Sequence, residues 1–258
     1  MTFNTLTERQ QEIMAWLQAE GHLSTDQLSQ RFAVSSQTIR RNINELSAMG
    51  LVRRQHGGLS LPAAQHNQSF SKRSAENLLS KQCIARTVVA SLPPHATLFL
   101  GYGTTVQQVA ALIPADLPLR VITNNLQALA ALLDKPAVET WVTGGRLRQA
   151  DQDLMGLQTL QAFERFEADI ALCGIAGIAA DGSLLEFQQE EAELTRVLLQ
   201  HSRQHWLLAD ASKYQRLASA RLGSLDAFDA LFTDQDNPAL AQLCQKFGVD
   251  FTVCQGAA

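Results

Sequence analysis

The sequence predicts an α/β chain in two parts, a short helical N-terminal part closed by a β-hairpin and a longer part built as a mostly parallel sheet with helices. Three observations predict it. Residues 7–46 carry three short apolar stripes of helical period, each opened by a residue type that caps helices. Gly57-Gly58 lies between residues 51–56 and 59–61, which is a hairpin signal. From residue 97 onward, seven short, near-continuous apolar runs alternate with helical segments, the pattern of strands covered on both faces.

Length and composition fit this picture. The 258 residues allow one or two domains of roughly 100–200 residues. With 46% hydrophobic and 18% charged residues the chain reads as an ordinary globular protein, and no uncharged apolar run approaches the ~20 residues of a membrane span. The start, Met1-Thr2-Phe3-Asn4-Thr5, lacks the basic, apolar, small-residue order of a secretion signal, so a cytoplasmic location without membrane contact is expected. Cys83, Cys173, Cys244 and Cys254 form no C-x-x-C pair and no metal spacing, so they are read as buried thiols. No metal or cofactor is expected. The net charge of −4 argues against a chain that coats nucleic acid with its whole surface. Residues 1–62 nevertheless hold six arginines against five acids, and four of those arginines form the pairs Arg40-Arg41 and Arg53-Arg54.

In chain order, Thr7 with Gln10 makes a capping box, after which Ile13 and Leu17 give the first helical stripe until Gly21 stops it. Ser24 with Gln27 repeats the signature ahead of Leu28 and Phe32, and Ala33-Val34 turn the chain. Ser35 is placed to cap the third helix and Gly50 to end it. On that helix Ile39, Ile43 and Leu46 share one narrow arc, with Gln37, Arg40, Arg41 and Asn44 on the opposite side. One face packs and the other is free to touch a partner. Three short helices with tight connections followed by a hairpin describe a winged helix-turn-helix. Guanidinium and carboxamide forks match base edges in the major groove, and a basic hairpin reaches phosphates. Double-stranded operator DNA is therefore the expected partner, with Ser36, Gln37, Thr38, Arg40, Arg41, Asn44, Arg53, Arg54 and His56 as contacts.

Residues 63–74 are small and polar without periodicity and read as a linker, giving a DNA-binding domain over 1–62 and an α/β domain over 75–258. The second domain opens with a helix carrying Ile84, Val88 and Val89. Its strands are expected at 97–100, 119–122, 138–142, 170–173, 206–209, 230–232 and 251–253. After them come loops rich in small polar residues, and in a parallel sheet these all emerge at the carboxyl edge, where ligand crevices form. Gly103-Thr104-Thr105 precedes a helix and offers amides and hydroxyls to an anion. Arg148 and Lys213 supply positive charge on the same edge, so a phosphorylated sugar or polyol is the expected ligand. A dinucleotide fold fits poorly, because Val106 stands where the third glycine belongs and no acid follows the second strand. His201 and His205 are four apart, but Gln204-His205-Trp206 reads as strand entry, so both are taken as structural.

The residues Leu23-Ser24-Thr25, Val34-Ser35-Ser36-Gln37-Thr38-Ile39-Arg40-Arg41, Asn44-Glu45-Leu46 and His56-Gly57-Gly58 resemble the DeoR family of transcriptional regulators. The resemblance continues through Gly103-Thr104-Thr105, Thr123-Asn124-Asn125, Gly144-Gly145, Leu147-Arg148, Asp181-Gly182 and Asp210-x-Ser212-Lys213. It implies an effector domain similar to ribose-phosphate isomerases. It also implies effector contacts at Gly103, Thr104, Thr105, Thr123, Asn124, Asn125, Gly145, Arg148, Asp181 and Lys213. The function implied is a DNA-binding repressor of carbohydrate or glycerol metabolism genes, a homo-oligomer (dimer or tetramer) released by a ligand such as glycerol 3-phosphate. Three positions depart from the pattern. Asn42 replaces an Asp and is expected to alter operator reading, Gly101 replaces an acid, and Thr195 replaces a lysine. The alternative is an isomerase-like enzyme carrying a DNA-binding domain, with Glu186, Glu190, Glu191 and Asp210 as candidate proton movers.

Overall fold

The computed structural model describes residues 6–20, 22–49, 51–55, 57–60 and 70–254, and the chain divides between Gln68 and Ser69 into two compact units. The first unit contains α1 (Glu8–Glu20), β1 (His22–Ser24), α2 (Thr25–Phe32), α3 (Ser36–Ala48), β2 (Arg53–Gln55) and β3 (Gly58–Ser60). Its helix starts follow from side-chain caps. Thr7 and Gln10 bond each other's backbone N–H groups, as do Ser24 and Gln27, and Ser35 Oγ accepts from the Thr38 amide at 3.3 Å. Ala33 takes the left-handed conformation (φ 50°) that ends α2 and turns the chain toward α3. Gly21 and Gly50 lie outside the described residues.

The core of this unit is formed by Ile13, Leu17, Leu23, Leu28, Ile39, Leu46 and Leu59, all without solvent exposure. Each such side chain contributes about 1.5–3 kcal/mol through burial. The hairpin is present but gains a third strand that the sequence did not announce. β1 pairs with β3, placing Leu23 opposite Leu59, so the wing is a three-stranded antiparallel sheet in the order β1-β3-β2. The strand order also explains the glycine pair. Gly57 has φ +82°, and a Cβ on Gly58 would sit 2.3 Å from the Leu23 carbonyl oxygen, so Gly58 belongs to the strand and lets it approach β1.

The second unit begins earlier than residue 75. α4 (Phe70–Ala75) occupies the end of the stretch expected to be a linker, whose earlier part lies outside the described residues. Tertiary anchors override the polar composition here. Phe70 is buried, its amide donates to the Ala150 carbonyl at 2.6 Å, and Arg73 pairs with Asp151 at 2.5 Å. There follow α5 (Leu78–Ala90), β4 (Thr97–Leu100), α6 (Thr104–Leu112), β5 (Leu119–Thr123), α7 (Leu126–Leu132) and β6 (Val138–Val142). Next come β7 (Arg146–Arg148), β8 (Asp153–Met155), α8 (Leu157–Phe163), β9 (Ala168–Cys173), β10 (Gly177–Ile178), β11 (Ser183–Glu186), α9 (Gln189–Gln200) and β12 (Ser202–Leu208). The unit closes with β13 (Ala220–Ser224), β14 (Ala230–Thr233), α10 (Pro238–Phe247) and β15 (Asp250–Val253).

Seven of these strands form one sheet, ordered β15-β14-β12-β9-β4-β5-β6, and every neighbouring pair is parallel. All seven expected strands are found, with β9 and β12 starting several residues earlier than their apolar runs. Alternate residues face opposite layers. Leu98 and Leu100 pack with α5, α6 and α7, whereas Phe99 packs with Phe163 of α8 and with α9 and α10. Two small antiparallel sheets, β7-β8 and β10-β11-β13, were not expected; strands of two to five residues leave little periodicity to read. The chain runs from β4 outward to β6 and then returns to β9 on the other side of β4. The sheet therefore switches direction between β4 and β9, and a ligand crevice belongs outside the carboxyl ends of those two strands. Among the described residues no helix is long and apolar enough to cross a membrane.

Candidate DNA-reading face and effector site

The two faces of α3 are separated as the periodicity predicts. Ile39, Ile43 and Leu46 are buried, while Ser36, Gln37, Arg40, Arg41 and Asn44 are exposed and Thr38 is half-buried. Arg53 and Arg54 are exposed on β2; His56 lies outside the described residues. Thr25, Arg40, Ile43, Asn44, Arg54, Gly57 and Gly58 line one concave surface between α3 and the wing, which joins Arg40 and Asn44 to a wing arginine. Arg41 is 83% exposed and its Nε lies 3.1 Å from Glu45 Oε1, while the other Glu45 oxygen accepts from Gln10 Nε2 at 2.8 Å. Glu45 thus orients an arginine of the free face from within the same helix.

Asn42 stands off the exposed face of α3. Its side chain is buried and its Nδ2 donates to the Thr38 carbonyl at 2.8 Å, so it faces its own helix and offers nothing to a base edge. The position flanks the apolar arc, which pulls it inward.

At the carboxyl edge of the sheet, Gly103 (φ +105°) precedes α6, and open space surrounds the position its Cβ would take. Thr104 and Thr105 follow in the first turn of α6 and are nearly buried. Thr123, Asn124 and Asn125 are wholly buried and build the loops. Thr123 Oγ1 donates to the Leu100 carbonyl at 2.7 Å. Asn125 caps α7 through its Oδ1 and donates through Nδ2 to the Gly103 carbonyl at 3.0 Å. Asn124 Nδ2 donates to the Leu154 carbonyl at 2.9 Å, and its buried Oδ1 has no hydrogen-bond partner among the described residues. Gly145 packs against Thr159, whose hydroxyl donates to the Gly144 carbonyl. These contacts fix the loops beside Gly103.

Two of the expected contacts are engaged by groups of the protein itself. Arg148 sits opposite Asp153 across the β7-β8 hairpin and donates to both its carboxylate oxygens, at 2.8 and 2.6 Å, and to Glu191 at 2.8 Å. Burial lowers the pKa of this guanidinium, but the three carboxylates around it, Asp153, Glu191 and the more distant Asp151, outweigh that and raise it. It fastens the hairpin to α9. Asp181 occupies the tight turn between β10 and β11, where it accepts from the Ser183 amide at 2.9 Å and its neighbour Gly182 rests on Phe247 of α10.

Lys213 is where it was expected, in a single 3-10 turn after β12, and its neighbours were not foreseen. Burial first, and then the charges of Arg216, Lys81 and Arg73, lower its pKa to about 8, against a raising effect from Asp210. Lys81 and Arg216 are likewise lowered, in each case first by burial. Asp210 is buried. Its Oδ1 accepts from Asn77 Nδ2 and the Ser212 amide, and its Oδ2 has no hydrogen-bond partner among the described residues. Lys213, Lys81 and Arg216 thus each feel the charge of Asp210. A sequence signal for Lys81 existed, since it lies on the same helical stripe as Ile84, Ala85 and Val88, where an apolar residue belongs. Arg216 follows Lys213 by three residues in the same loop.

Three of the four candidate proton movers are engaged by neighbouring groups. Glu190 pairs with Arg146 on the surface, and Glu191 belongs to the Arg148 network. Glu186 is buried, accepts from the Tyr102 hydroxyl at 2.8 Å, and is pushed up to about 8 by burial and by neighbouring Glu191. Tyr102 also reaches Thr195 at 3.1 Å, so two of the unusual positions, Gly101 and Thr195, border this buried group. His201 caps the end of α9 and His205 lies in β12, and the four cysteines are free and buried.

Residues 9–65 match the model of the DeoR-like helix-turn-helix domain, and residues 76–235 match that of the DeoR C terminal sensor domain. The chain is 36% identical over 249 residues to the glycerol-3-phosphate regulon repressor of Escherichia coli (strain K12), covering 96% of this chain and 99% of that protein. It is 35% identical over 248 residues to the Haemophilus influenzae protein of the same name, with 96% and 97% covered. A third relative is the HTH-type transcriptional repressor CsqR of Escherichia coli (strain K12), 33% identical over 239 residues, with 93% and 92% covered. Among solved structures, ribose 5-phosphate isomerase A from Methanocaldococcus jannaschii is similar at TM-score 0.40 and 14% identity, covering 54% of this chain and 55% of that one.

Proposed function

The chain belongs to the DeoR family of transcriptional regulators, and from that premise we propose that it is a repressor that binds operator DNA through α3 and the wing. In this reading it leaves the operator when a phosphorylated sugar or polyol occupies the carboxyl edge of its sheet. The observation that carries the reading is the division of α3, with an apolar arc sealed into the core and Gln37, Arg40, Arg41 and Asn44 exposed, Arg40 and Asn44 sharing a concave surface with Arg54. Arg40 and Asn44 read base edges and the wing arginines hold phosphates. The relatives' printed names point to glycerol 3-phosphate as the first ligand to try.

Ligand binding acts by population shift, since an effector with higher affinity for the DNA-incompetent state lowers operator affinity by their ratio. A single module buries little surface on DNA, so the working form is a symmetric oligomer, dimer or tetramer, reading repeated half-sites. The effector contacts are Gly103, Thr104, Thr105 and Lys213, on a scaffold of Thr123, Asn124, Asn125 and Gly145. In this reading the protein is a sensor and not an enzyme, in keeping with the regulators it is similar to.

Gel shifts with operator DNA test the assignment. Replacing Arg40 by Ala weakens binding by about 1–3 kcal/mol if it makes a bidentate base contact. Lys213→Ala binds DNA like the wild type but is not released by glycerol 3-phosphate or the other sugar phosphates that release the wild type. Normal release of Lys213→Ala refutes its place in the site.

A further inference from the structure

β6 lies at one edge of the main sheet, and among the described residues β5 is the single strand that pairs with it. The Thr143 amide donates to the Thr123 carbonyl, so by the alternation of a parallel ladder the odd-numbered residues of β6 bond to β5. Thr140 and Val142 then turn both N–H and C=O outward. Val138 turns out its carbonyl alone, because its amide donates to the Lys135 carbonyl at 3.0 Å. Natural sheet edges are guarded by lysine, proline, bulges or free charge. Residues 138–142, Val-Glu-Thr-Trp-Val, contain no lysine or proline and no break in register. Their one charge, Glu139, is already engaged by Arg120 and by the Trp141 ring nitrogen, each at 2.9 Å. Trp141 and Val142 are nevertheless 49% and 47% exposed, in a sheet whose strands are otherwise mostly covered. At the opposite edge β15 opens with the exposed carboxylate of Asp250.

We propose that β6 pairs antiparallel with β6 of a second copy of this chain, across a two-fold axis at Thr140. In that register Thr140 meets its own counterpart as a hydrogen-bonded pair, each amide donating to the other's carbonyl. The Val142 amide donates to the Val138 carbonyl of the other copy. Every outward backbone group of the strand except the Val142 carbonyl thereby gains a partner. The side chains match as well. On one face Val142 lies against Val138 of the other copy, and the two Thr140 side chains meet. Thr140 Oγ1 is buried without a hydrogen-bond partner among the described residues, and the opposite hydroxyl offers it both a donor and an acceptor. On the other face Trp141 comes opposite Glu139, which repeats between copies the indole–carboxylate contact that each makes within itself. A two-fold interface must be complementary to itself, and this strand is so about Thr140. The pairing gives a surface to the symmetric oligomer proposed above, and it rests on that reading for the expectation that copies associate.

Sedimentation of the full-length protein over a range of concentrations tests it. Thr140→Lys and Thr140→Glu each set like charges against each other at the axis, and each should halve the mass of the wild-type assembly or weaken association by about tenfold or more. An equal mixture of the two variants recovers the wild-type mass, because Lys then faces Glu. Thr140→Cys is the gentler change. The four native cysteines are buried, so the added thiol is the accessible one. A short bismaleimide spans the about 5.5 Å between the Cα atoms of a hydrogen-bonded pair and should link Thr140→Cys into a covalent dimer. Asp236→Cys, exposed in the loop after β14, should not be linked. If either charged variant does not fold, as read by circular dichroism, the linking of Thr140→Cys decides the matter.

If the wild type associates but the charged variants keep its mass, their mixture recovers nothing, or Thr140→Cys is not linked, the β6 pairing is overturned and the symmetric oligomer stands. A wild type that is monomeric at every concentration overturns both. If the charged variants are monomers that bind operator DNA as tightly as the wild type, the β6 pairing stands and the oligomeric reading of DNA falls.

Discussion

Glu186 and Lys213 illustrate how much a residue's chemistry depends on surroundings that the sequence does not display. Lys213 was a candidate from its loop after a strand and Glu186 as a carboxylate able to move a proton. Burial then moved the carboxyl and the ammonium toward each other, each to about 8. For Glu186 the native state retains a proton that the unfolded chain, with its ordinary carboxyl near 4.5, gives up as pH rises. Native stability consequently falls between about pH 4.5 and 8 and is untouched below that window. Lys213 contributes only above its own value, where the native state is the one that has lost a proton. Glu186→Gln removes the carboxyl contribution. Denaturant unfolding of wild type and variant at pH 5 and pH 8 should therefore show the variant gaining on the order of 3 kcal/mol relative to wild type at the higher pH. An equal difference at the two pH values would falsify the burial argument. Arg148 makes the same point from the other side. Its loop and charge were legible, but its three carboxylate partners come from β8, the β7-β8 turn and α9, and only the folded chain brings them together.

Among elements, α3 was the most legible, because both its stripe and its cap are local properties of consecutive residues. The same locality made all seven strands of the main sheet readable from apolar runs. β1 and α4 were not legible, since His22-Leu23-Ser24 becomes a strand only by pairing with β3, and α4 holds its place through Phe70 and Arg73. Asn42 marks the limit within α3 itself. Periodicity left it between the two faces, and packing turned it inward onto Thr38. Asn42→Ala should accordingly cost about 1 kcal/mol of stability, the worth of one partly buried hydrogen bond, and leave the ranking of operator sequences unchanged. Thermal unfolding together with binding to a panel of mutated operators checks both halves. A changed operator preference at unchanged stability would return Asn42 to the reading face.

At the scale of the whole molecule, the order β15-β14-β12-β9-β4-β5-β6 gathers loops from distant parts of the chain at one edge. That gathering was foreseen from strand order in sequence, because a parallel sheet admits only one edge for loops that follow strands. Which of those loops carry free charge was not foreseen, because pairing partners arise from crossovers rather than from spacing. The outcome is a chain whose DNA-reading unit and ligand-sensing unit each hold together on a core of their own, and whose function lies in the coupling between them. Fluorescence anisotropy of the full-length protein on operator DNA, titrated with glycerol 3-phosphate, sugar phosphates and unphosphorylated glycerol, tests that coupling most directly. At least one phosphorylated compound should lower operator affinity by about 5–150-fold, the usual range of allosteric coupling, while glycerol leaves it unchanged. Operator affinity that stays constant at saturating concentrations of every phosphorylated ligand shown to bind would contradict the account.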